Sequence, residues 1–478
     1  MSSDVSSAPS SASTRSSLST PSPPSSRSRQ KHVGVIGGGI AGLTAALRLA
    51  QAGHTVTLWE QGPRLGGQAV AFPVGDAYLE HFYHHLFQSD REIVALIEEL
   101  GIGNHLVWLP SNVGYFADGR IWPLNGALDL LRLGFIPLID RIRIGLVTAY
   151  LQRVKRWQRF ETITAERWLR RALGQRAYDR TLGAQLRAKF GRYHDQVAMV
   201  WFWGKIWLRT TSRRSPLDTE KLGYIMGSFN VLIAAIADAA RAAGATLEAG
   251  RGPSLLKQSA SGAWEVTLPD EVVTCDAIVA TVPSPILIRL VPDLPADYRA
   301  RLTGLTYEAA AVALLQLDRP LSSIYWLNIA DPDLPFTGII EHTNFISADE
   351  YGGKHFVYLS TYLEPDNPYF TMPEVELIDA YVPYLRRINP KFERDWIEQW
   401  WVFRERSAQP IVTLTYREKI PAHRTGLPNL YLANTSQIYP EDRGTNYSVR
   451  LGNRIAAMVT SDLSADDASA SNETSTPA

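Results

Sequence analysis

The chain has 478 residues, 45% of them hydrophobic and 10% aromatic, which is enough for substantial cores and about three domain equivalents. Its single cysteine, Cys275, excludes an intramolecular disulfide, fits a reducing compartment and leaves little scope for thiolate metal sites. Basic and acidic residues number 48 each, so the formal net charge is zero, yet between Arg132 and Arg214 there are 19 Lys/Arg against 5 Asp/Glu, a local net of +14.

Residues 1–30 are serine-rich with proline, too poor in apolar side chains to fold alone, and are expected to form a disordered tail. A Ser/Arg-rich, acid-poor start also fits an organelle transit peptide, but the apolar face of an amphipathic helix is missing. No apolar segment of secretory type is present. The first folded unit spans 32–60. Val33, Val35 and Ile36 form a strand that ends at Gly37-Gly38-Gly39-Ile40-Ala41-Gly42, a G-x-G-x-x-G that opens a helix to about Ala52. Gly53 stops it, and a second strand over 55–59 ends in Glu60. The spacing predicts a dinucleotide cradle. Gly37 permits the turn, Gly39 admits a pyrophosphate, Gly42 lets helix and strand approach, and the acid accepts a ribose hydroxyl.

Gln61-Gly62-Pro63-Arg64-Leu65-Gly66-Gly67 follows at once. Fingerprint, acid and R-x-G-G in succession resemble the two-domain FAD enzymes: amine oxidases, protoporphyrinogen oxidase, phytoene desaturase and, more distantly, UDP-galactopyranose mutase. The resemblance implies a discontinuous α/β Rossmann-type FAD domain and an α+β substrate domain with an antiparallel sheet and a helical insertion. It also implies non-covalent FAD, since Cys275 lies far from the C-terminal flavin segment. The implied cofactor contacts are Gly37, Gly39, Ile40, Ala41, Gly42, Glu60, Gln61, Arg64, Gly66 and Gly67.

Over 78–103, Ser89 or Asp90 is expected to cap a helix with Ile93, Leu96, Ile97 and Leu100 on its apolar face. His81, His84 and His85 precede it. No cysteine accompanies them, so a lining role beside the flavin or a packed aromatic strand is expected rather than a metal site. His85-Leu86-Phe87 is similar to the H-x-F of the mutase branch. Residues 128–214 read as helical. Ile142, Leu146, Tyr150, Val154 and Trp157 recur at helical spacing beside Arg141, Arg153, Lys155, Arg156 and Arg159, predicting a basic amphipathic helix. Met199, Val200, Trp201, Phe202, Trp203, Ile206, Trp207 and Leu208 then run into Arg209, Arg213 and Arg214. This block is open to three interpretations: a solvated basic surface, an anionic substrate pocket, or contact with an anionic membrane face. Nucleic acid is not an expected partner, and no segment is long and apolar enough to span a bilayer.

A helix from Gly227 to Gly244, a strand over 245–249 and a buried strand over 276–281 look like a return to the FAD domain. Arg251-Gly252-Pro253 stands where the family places a valine against adenine. Strands over 311–317, 324–329, 338–341, 356–362 and 400–403, with a helix over 374–387, suit the substrate sheet. Tyr325, Trp326, His342, Tyr358, Tyr362 and Trp400-Trp401 are pocket candidates or core. Near the end, 430–433 is a strand and Thr445 or Asn446 caps the last helix. Asn434-Thr435 replaces the family's acid, for which Glu441-Asp442-Arg443 offers an equivalent. Asn434, Tyr447, Ser448 and Val449 complete the implied cofactor contacts, the last three as backbone donors. The candidate catalytic side chains are His84, His85 and Tyr447.

The expected boundaries are 1–30 tail; 31–105, 223–298 and 416–463 FAD domain; 106–222 and 299–415 substrate domain; 464–478 tail. The expected activity is hydride removal from a C–H bond of an anionic or lipid-soluble small molecule. The protein is expected to be cytoplasmic, with peripheral membrane contact through 132–214. Redox-neutral isomerisation of the mutase type and flavin binding without turnover are the rivals.

Overall fold

The computed structural model describes residues 30–211 and 220–473. In chain order, the strands that build the architecture are β1 (His32–Ile36), β2 (Thr55–Glu60), β3 (Val113–Ala117), β4 (Arg120–Pro123), β5 (Ala245–Ala249), β6 (Ala277–Ala280), β7 (Tyr307–Leu317), β8 (Trp326–Ile329), β9 (Gly338–Glu341), β10 (His355–Leu363), β11 (Ile397–Pro410) and β12 (Leu430–Leu432). The main helices are α1 (Ile40–Gln51), α2 (Arg91–Glu99), α3 (Ala127–Arg132), α4 (Leu138–Arg153), α5 (Ala165–Leu173), α6 (Gln175–Arg180), α7 (Leu182–Phe190), α8 (Met199–Thr211), α9 (Phe229–Ala242), α10 (Glu374–Ile388) and α11 (Thr445–Glu473).

One sheet has the order β5-β2-β1-β6-β12, with every neighbouring pair parallel. Both faces of this sheet are covered, one by helices that include α1, α9 and α11 and the other by a small antiparallel sheet over 255–275 with neighbouring helices, which is why Val33, Val35 and all of β6 are apolar or small and fully buried. From β1 the chain runs to β2 on one side, while β6 lies on the other, so the carboxyl end of β1 is the switch point at which open α/β sheets bind ligands. The glycine turn stands there. Gly452 seats α11 on α1, because a methyl group at that position would fall 2.6 Å from Thr44 Cβ and 2.7 Å from the Ala41 carbonyl.

The second sheet has the order β11-β7-β10-β9-β8-β3-β4. The expected antiparallel sheet is mixed, because β8 and β3 pair in parallel. The 106–222 segment contributes two of its strands as well as helices. Between β3–β4 and β8 the chain runs through the α3–α8 insertion, β5, α9, β6 and β7, and so long a crossover frees β8 from hairpin direction.

The insertion has its own core, with Leu169, Leu173, Tyr178 and Phe190 at 0–1% exposure. The predicted basic amphipathic helix is present as α4, but turned over. Ile142, Leu146 and Tyr150 are exposed, whereas Asp140, Ile144 and Leu151 face inward. Ile144 and Leu151 join the insertion's core, and Arg176 Nε on α6 donates to Asp140 Oδ2 at 2.7 Å on the same inward face. Trp157 falls beyond α4 and stacks on Trp203 at 6.1 Å. Met199 to Trp203 are core residues at 0–7% exposure. Arg213 and Arg214 lie outside the described residues, as do residues 1–29. The tail expected from 464 is instead a continuation of α11 to Glu473, and 474–478 lie outside the described residues.

Candidate active site

Two glycine segments meet at the carboxyl end of β1. Gly66 N–H donates to the Gly38 carbonyl at 2.8 Å, and Gly39 pairs with Gly66 as an isolated parallel bridge. Gly37 takes φ +107°, which a side chain resists. A Cβ at Gly42 would stand 1.9 Å from the Gly37 carbonyl oxygen, so only glycine lets α1 start this close to the turn. At Gly39 the opposite holds: an added Cβ would meet only Gly67 Cα, at 3.7 Å, leaving an open bed ahead of the α1 N-terminus. Glu60 ends β2 beside it. Gly38 N–H and Gly62 N–H donate to its two carboxylate oxygens at 2.7 and 2.6 Å, and each oxygen keeps acceptor capacity for a ribose hydroxyl. Gln61 is exposed and lies against Gly252, and Arg251 N–H donates to the Glu60 carbonyl at 2.9 Å, so the 250–253 stretch closes this end by its backbone rather than by a valine. Arg64 is exposed at the rim, where its one hydrogen bond is to the Ala71 carbonyl at 3.3 Å.

The C-terminal expectations need correction. Asn434 is buried, and its amide is fully engaged within the protein: Oδ1 accepts from Ser436 N–H and Oγ, and Nδ2 donates to the Val282 carbonyl and Ser284 Oγ. It is a capping residue, not a cofactor contact. Tyr447 N–H and Ser448 N–H both donate to the Gly444 carbonyl, and Val449 is fully buried. The helix therefore offers its N–H groups one step earlier, at Thr445 and Asn446, as the unpaired first turn of a helix requires. The Asn446 side chain accepts from Ile93 N–H at 3.1 Å and so serves α2, while the Asp90 carboxylate instead takes Phe87 N–H at 2.8 Å.

Between the two sheets a single network joins every layer. Arg443, just ahead of α11, donates to Gln68 Oε1 at 2.8 Å, to the Tyr362 hydroxyl at 2.9 Å and to Gln409 Oε1 at 3.4 Å. Asp442 accepts from Trp201 Nε1 at 3.0 Å and pairs with Lys205 at 3.2 Å, both on α8. Lys189, at the end of α7, holds its ammonium 3.9 Å from the centre of the Tyr362 ring. Lys205 keeps 39% of its side chain accessible. Glu308 on β7 is 4% exposed and its Oε2 has no hydrogen-bond partner among the described residues. Burial pushes its carboxyl up to about 8, against the pull of Lys189, so it is protonated at neutral pH. Three cations thus face one carboxylate, a local net of about +2. Burial alone would raise the Tyr362 phenol, but Lys189, Arg443 and Lys205 outweigh it and bring it down to about 8.

Of the expected pocket residues, Tyr362 joins this network. Trp326 is half-buried against Tyr83 and His85, whereas Tyr325, His342 and Tyr358 lie in the core. His85 approaches the Tyr325 hydroxyl at 3.3 Å, and burial with nearby Arg209 lowers it to about 3. His84 contacts the Phe82 carbonyl at 2.5 Å and burial lowers it to about 4, so both imidazoles are neutral. His81 stacks on Phe403 at 4.0 Å. Tyr447 is buried, and burial raises its phenol well above the ordinary tyrosine value, so it stays protonated. Sequence reasoning missed Gln68, Lys189, Lys205 and Glu308, which sit on four different elements with no shared motif.

The family of flavin containing amine oxidoreductases matches residues 40–453, a span that begins within the first glycine segment, at Ile40, and takes in the second, the charged network and the start of α11. The chain belongs to that family. Membership carries the class, FAD-dependent oxidoreductase, and FAD is the cofactor. The flavoprotein's cradle fits that group: the open side of Gly39, the spare acceptor capacity of Glu60, and the N–H groups of Thr445 and Asn446. Its cysteine is buried beneath β1, 3.8 Å from His32, in keeping with non-covalent FAD. A phytoene dehydrogenase from Streptomyces griseus is 27% identical over 290 residues, 56% of this chain and 55% of that protein, so the chain spans about half the length of that relative. A candidate protoporphyrinogen oxidase from Exiguobacterium sp. 255-15 superposes with a TM-score of 0.73 at 16% identity, over 90% of this chain and 98% of the other. Reduced UDP-galactopyranose mutase does so with a TM-score of 0.70 at 16% identity, over 90% and 96%. At these identities the two structures share the fold alone.

Proposed function

We propose that this flavoprotein oxidises a C–H bond of a small molecule that carries carboxylate or phosphate groups, in the manner of a protoporphyrinogen oxidase. The observation behind this is the charge of the network between the sheets: Lys189, Lys205 and Arg443 against Asp442 alone, with Glu308 neutral. A free cationic amine would be repelled there, and an anion attracted. Bound FAD supplies hydride acceptance. It would be held by the Gly37–Gly42 turn, Glu60, Gln61, Arg64, Gly66-Gly67 and the N–H groups of Thr445 and Asn446. Lys189 and Arg443 orient the anionic end of the substrate, with Tyr362 between them. Protonated Glu308 and Tyr362 are the groups able to hold or release a proton at the cavity wall. The same proposal divides the chain into FAD-domain segments at 31–105, 223–298 and from 416, with the substrate domain at 106–222 and 299–415.

Anaerobic mixing with candidate anionic substrates tests this. Bleaching of the oxidised flavin is expected on substrate addition. Activity that emerges only after dithionite reduction would instead assign the redox-neutral chemistry of an isomerase. A chain that retains FAD and is reduced by no candidate would be a binding protein.

A further inference from the structure

Of the ten large apolar side chains exposed among the described residues, seven fall between positions 128 and 150. Leu128 and Leu131 on α3 join Leu138, Ile139, Ile142 and Leu146 on α4, with exposures from 43% to 69%. The two helices pack together, so the patch is continuous. Positions 138, 142, 146 and 150 recur every fourth residue and share one helix face. A helix of a globular protein normally turns such a face inward. Here the opposite face is turned inward, with Ile144 and Leu151 in the insertion's core and Asp140 paired with Arg176.

The exposed charges around the stripe are all of one sign. Arg132, Arg143, Arg153, Lys155, Arg156 and Arg159 are exposed, whereas Asp140 is buried and Asp129 pairs with Arg132 at 3.5 Å. Where the stripe ends, Tyr150 borders an open cleft of about 380 Å³ whose wall includes Arg159, Arg167 and Arg171. Arg159 donates to the Tyr150 hydroxyl at 2.7 Å, and the Tyr150 ring stacks on Trp168. Guanidinium groups so placed suit phosphate oxygens. A second copy of the chain is a poor occupant, because a two-fold contact would bring the two basic rims face to face. No described helix is long and apolar enough to cross a membrane.

We propose that the α3–α4 face docks on an anionic lipid bilayer, the leucine and isoleucine stripe entering the boundary between headgroups and acyl chains and the Arg159–Arg167–Arg171 cleft taking a lipid phosphate. Neither the reaction nor the substrate enters into this, and docking can be read without turnover.

The test is flotation of the FAD-loaded full chain with vesicles of phosphatidylcholine alone or mixed with phosphatidylglycerol, at low and high salt. Binding to the mixed vesicles at low salt, fading as salt screens the rim, is expected. The double variants L138E/L146E and R167E/R171E alter exposed positions outside the cavity. Each should weaken binding to mixed vesicles at least roughly tenfold and leave the flavin spectrum unchanged. The proposal is overturned by a wild-type chain that ignores mixed vesicles, by binding that survives L138E/L146E, or by a dimer that L138E/L146E splits.

Discussion

Replacing Lys189 with methionine keeps the length of the side chain and removes one charge from the cavity. Its ammonium lies 3.9 Å from the centre of the Tyr362 ring and heads the cations that bring the phenol down to about 8. At an effective dielectric of about 20, a unit charge roughly 4–5 Å away contributes about 3–4 kcal/mol, or some two to three pH units. Solvent in the cavity reduces this, so K189M should return Tyr362 to about 10, the ordinary tyrosine range. Ionisation of Tyr362 adds a negative charge as pH rises. Affinity for an anionic ligand should therefore be constant below about 8 and fall by at most about tenfold per pH unit above it. The assay is titration of a non-oxidisable dicarboxylate, followed by perturbation of the flavin spectrum, across the pH range that brackets both values. Wild type should break near 8; K189M should bind more weakly at low pH and break nearer 10; Tyr362→Phe should show no such break. A break near 8 that persists in Tyr362→Phe, or a flat wild-type profile, would refute the electrostatic reasoning.

Two glycines of the cradle should separate folding from binding. Gly39→Ala adds a methyl that meets only Gly67 Cα at 3.7 Å, so the apoprotein's melting temperature should barely move while FAD affinity drops, as calorimetry and FAD titration would show. Gly42→Ala places a methyl 1.9 Å from a backbone oxygen and should destabilise the apoprotein by about 3 kcal/mol or more, visible as loss of soluble folded chain. Glu80 offers a pH test of the core. It is fully buried, accepts from Phe229 N–H at 2.7 Å and from the Tyr224 hydroxyl, and burial raises it from 4.5 to about 7. The folded state thus holds the proton more tightly, a stabilisation complete below about 4.5 and lost as pH climbs through about 7, amounting to about 3 kcal/mol. Urea unfolding of Glu80→Gln should lack that decline; an identical pH profile in wild type and variant would contradict the assignment.

The cradle was legible in the sequence because everything that makes it is local: a strand, a glycine turn, a helix and an acid within 29 residues, from His32 to Glu60. Buried parallel strands such as Ala277–Ala280 were legible as unbroken apolar runs for the same reason. The cavity was legible only in part. Tyr362 and the Asp442-Arg443 pair stood out as candidates, but Lys189, Lys205, Gln68 and Glu308 are brought together by α7 packing on the second sheet, α8 meeting Asp442 and Gln68 meeting Arg443, and no periodicity records that. The same limit explains α4. Its two faces are both partly apolar, and the inward one meets partners distant in sequence: Ile144 and Leu151 join the insertion's core and Asp140 meets Arg176 on another helix. At the C-terminal end, the resemblance pointed to backbone donors at 447–449, of which Tyr447 and Ser448 N–H are taken up by the Gly444 carbonyl. Which N–H groups remain open depends on Gly444 accepting from both Tyr447 and Ser448, a detail of one turn.

The most direct measurement is of the cofactor itself. The purified chain should carry the visible absorption of oxidised flavin and release a single FAD per chain, intact, on acid denaturation. A colourless chain that takes up no FAD on reconstitution would contradict the central claim.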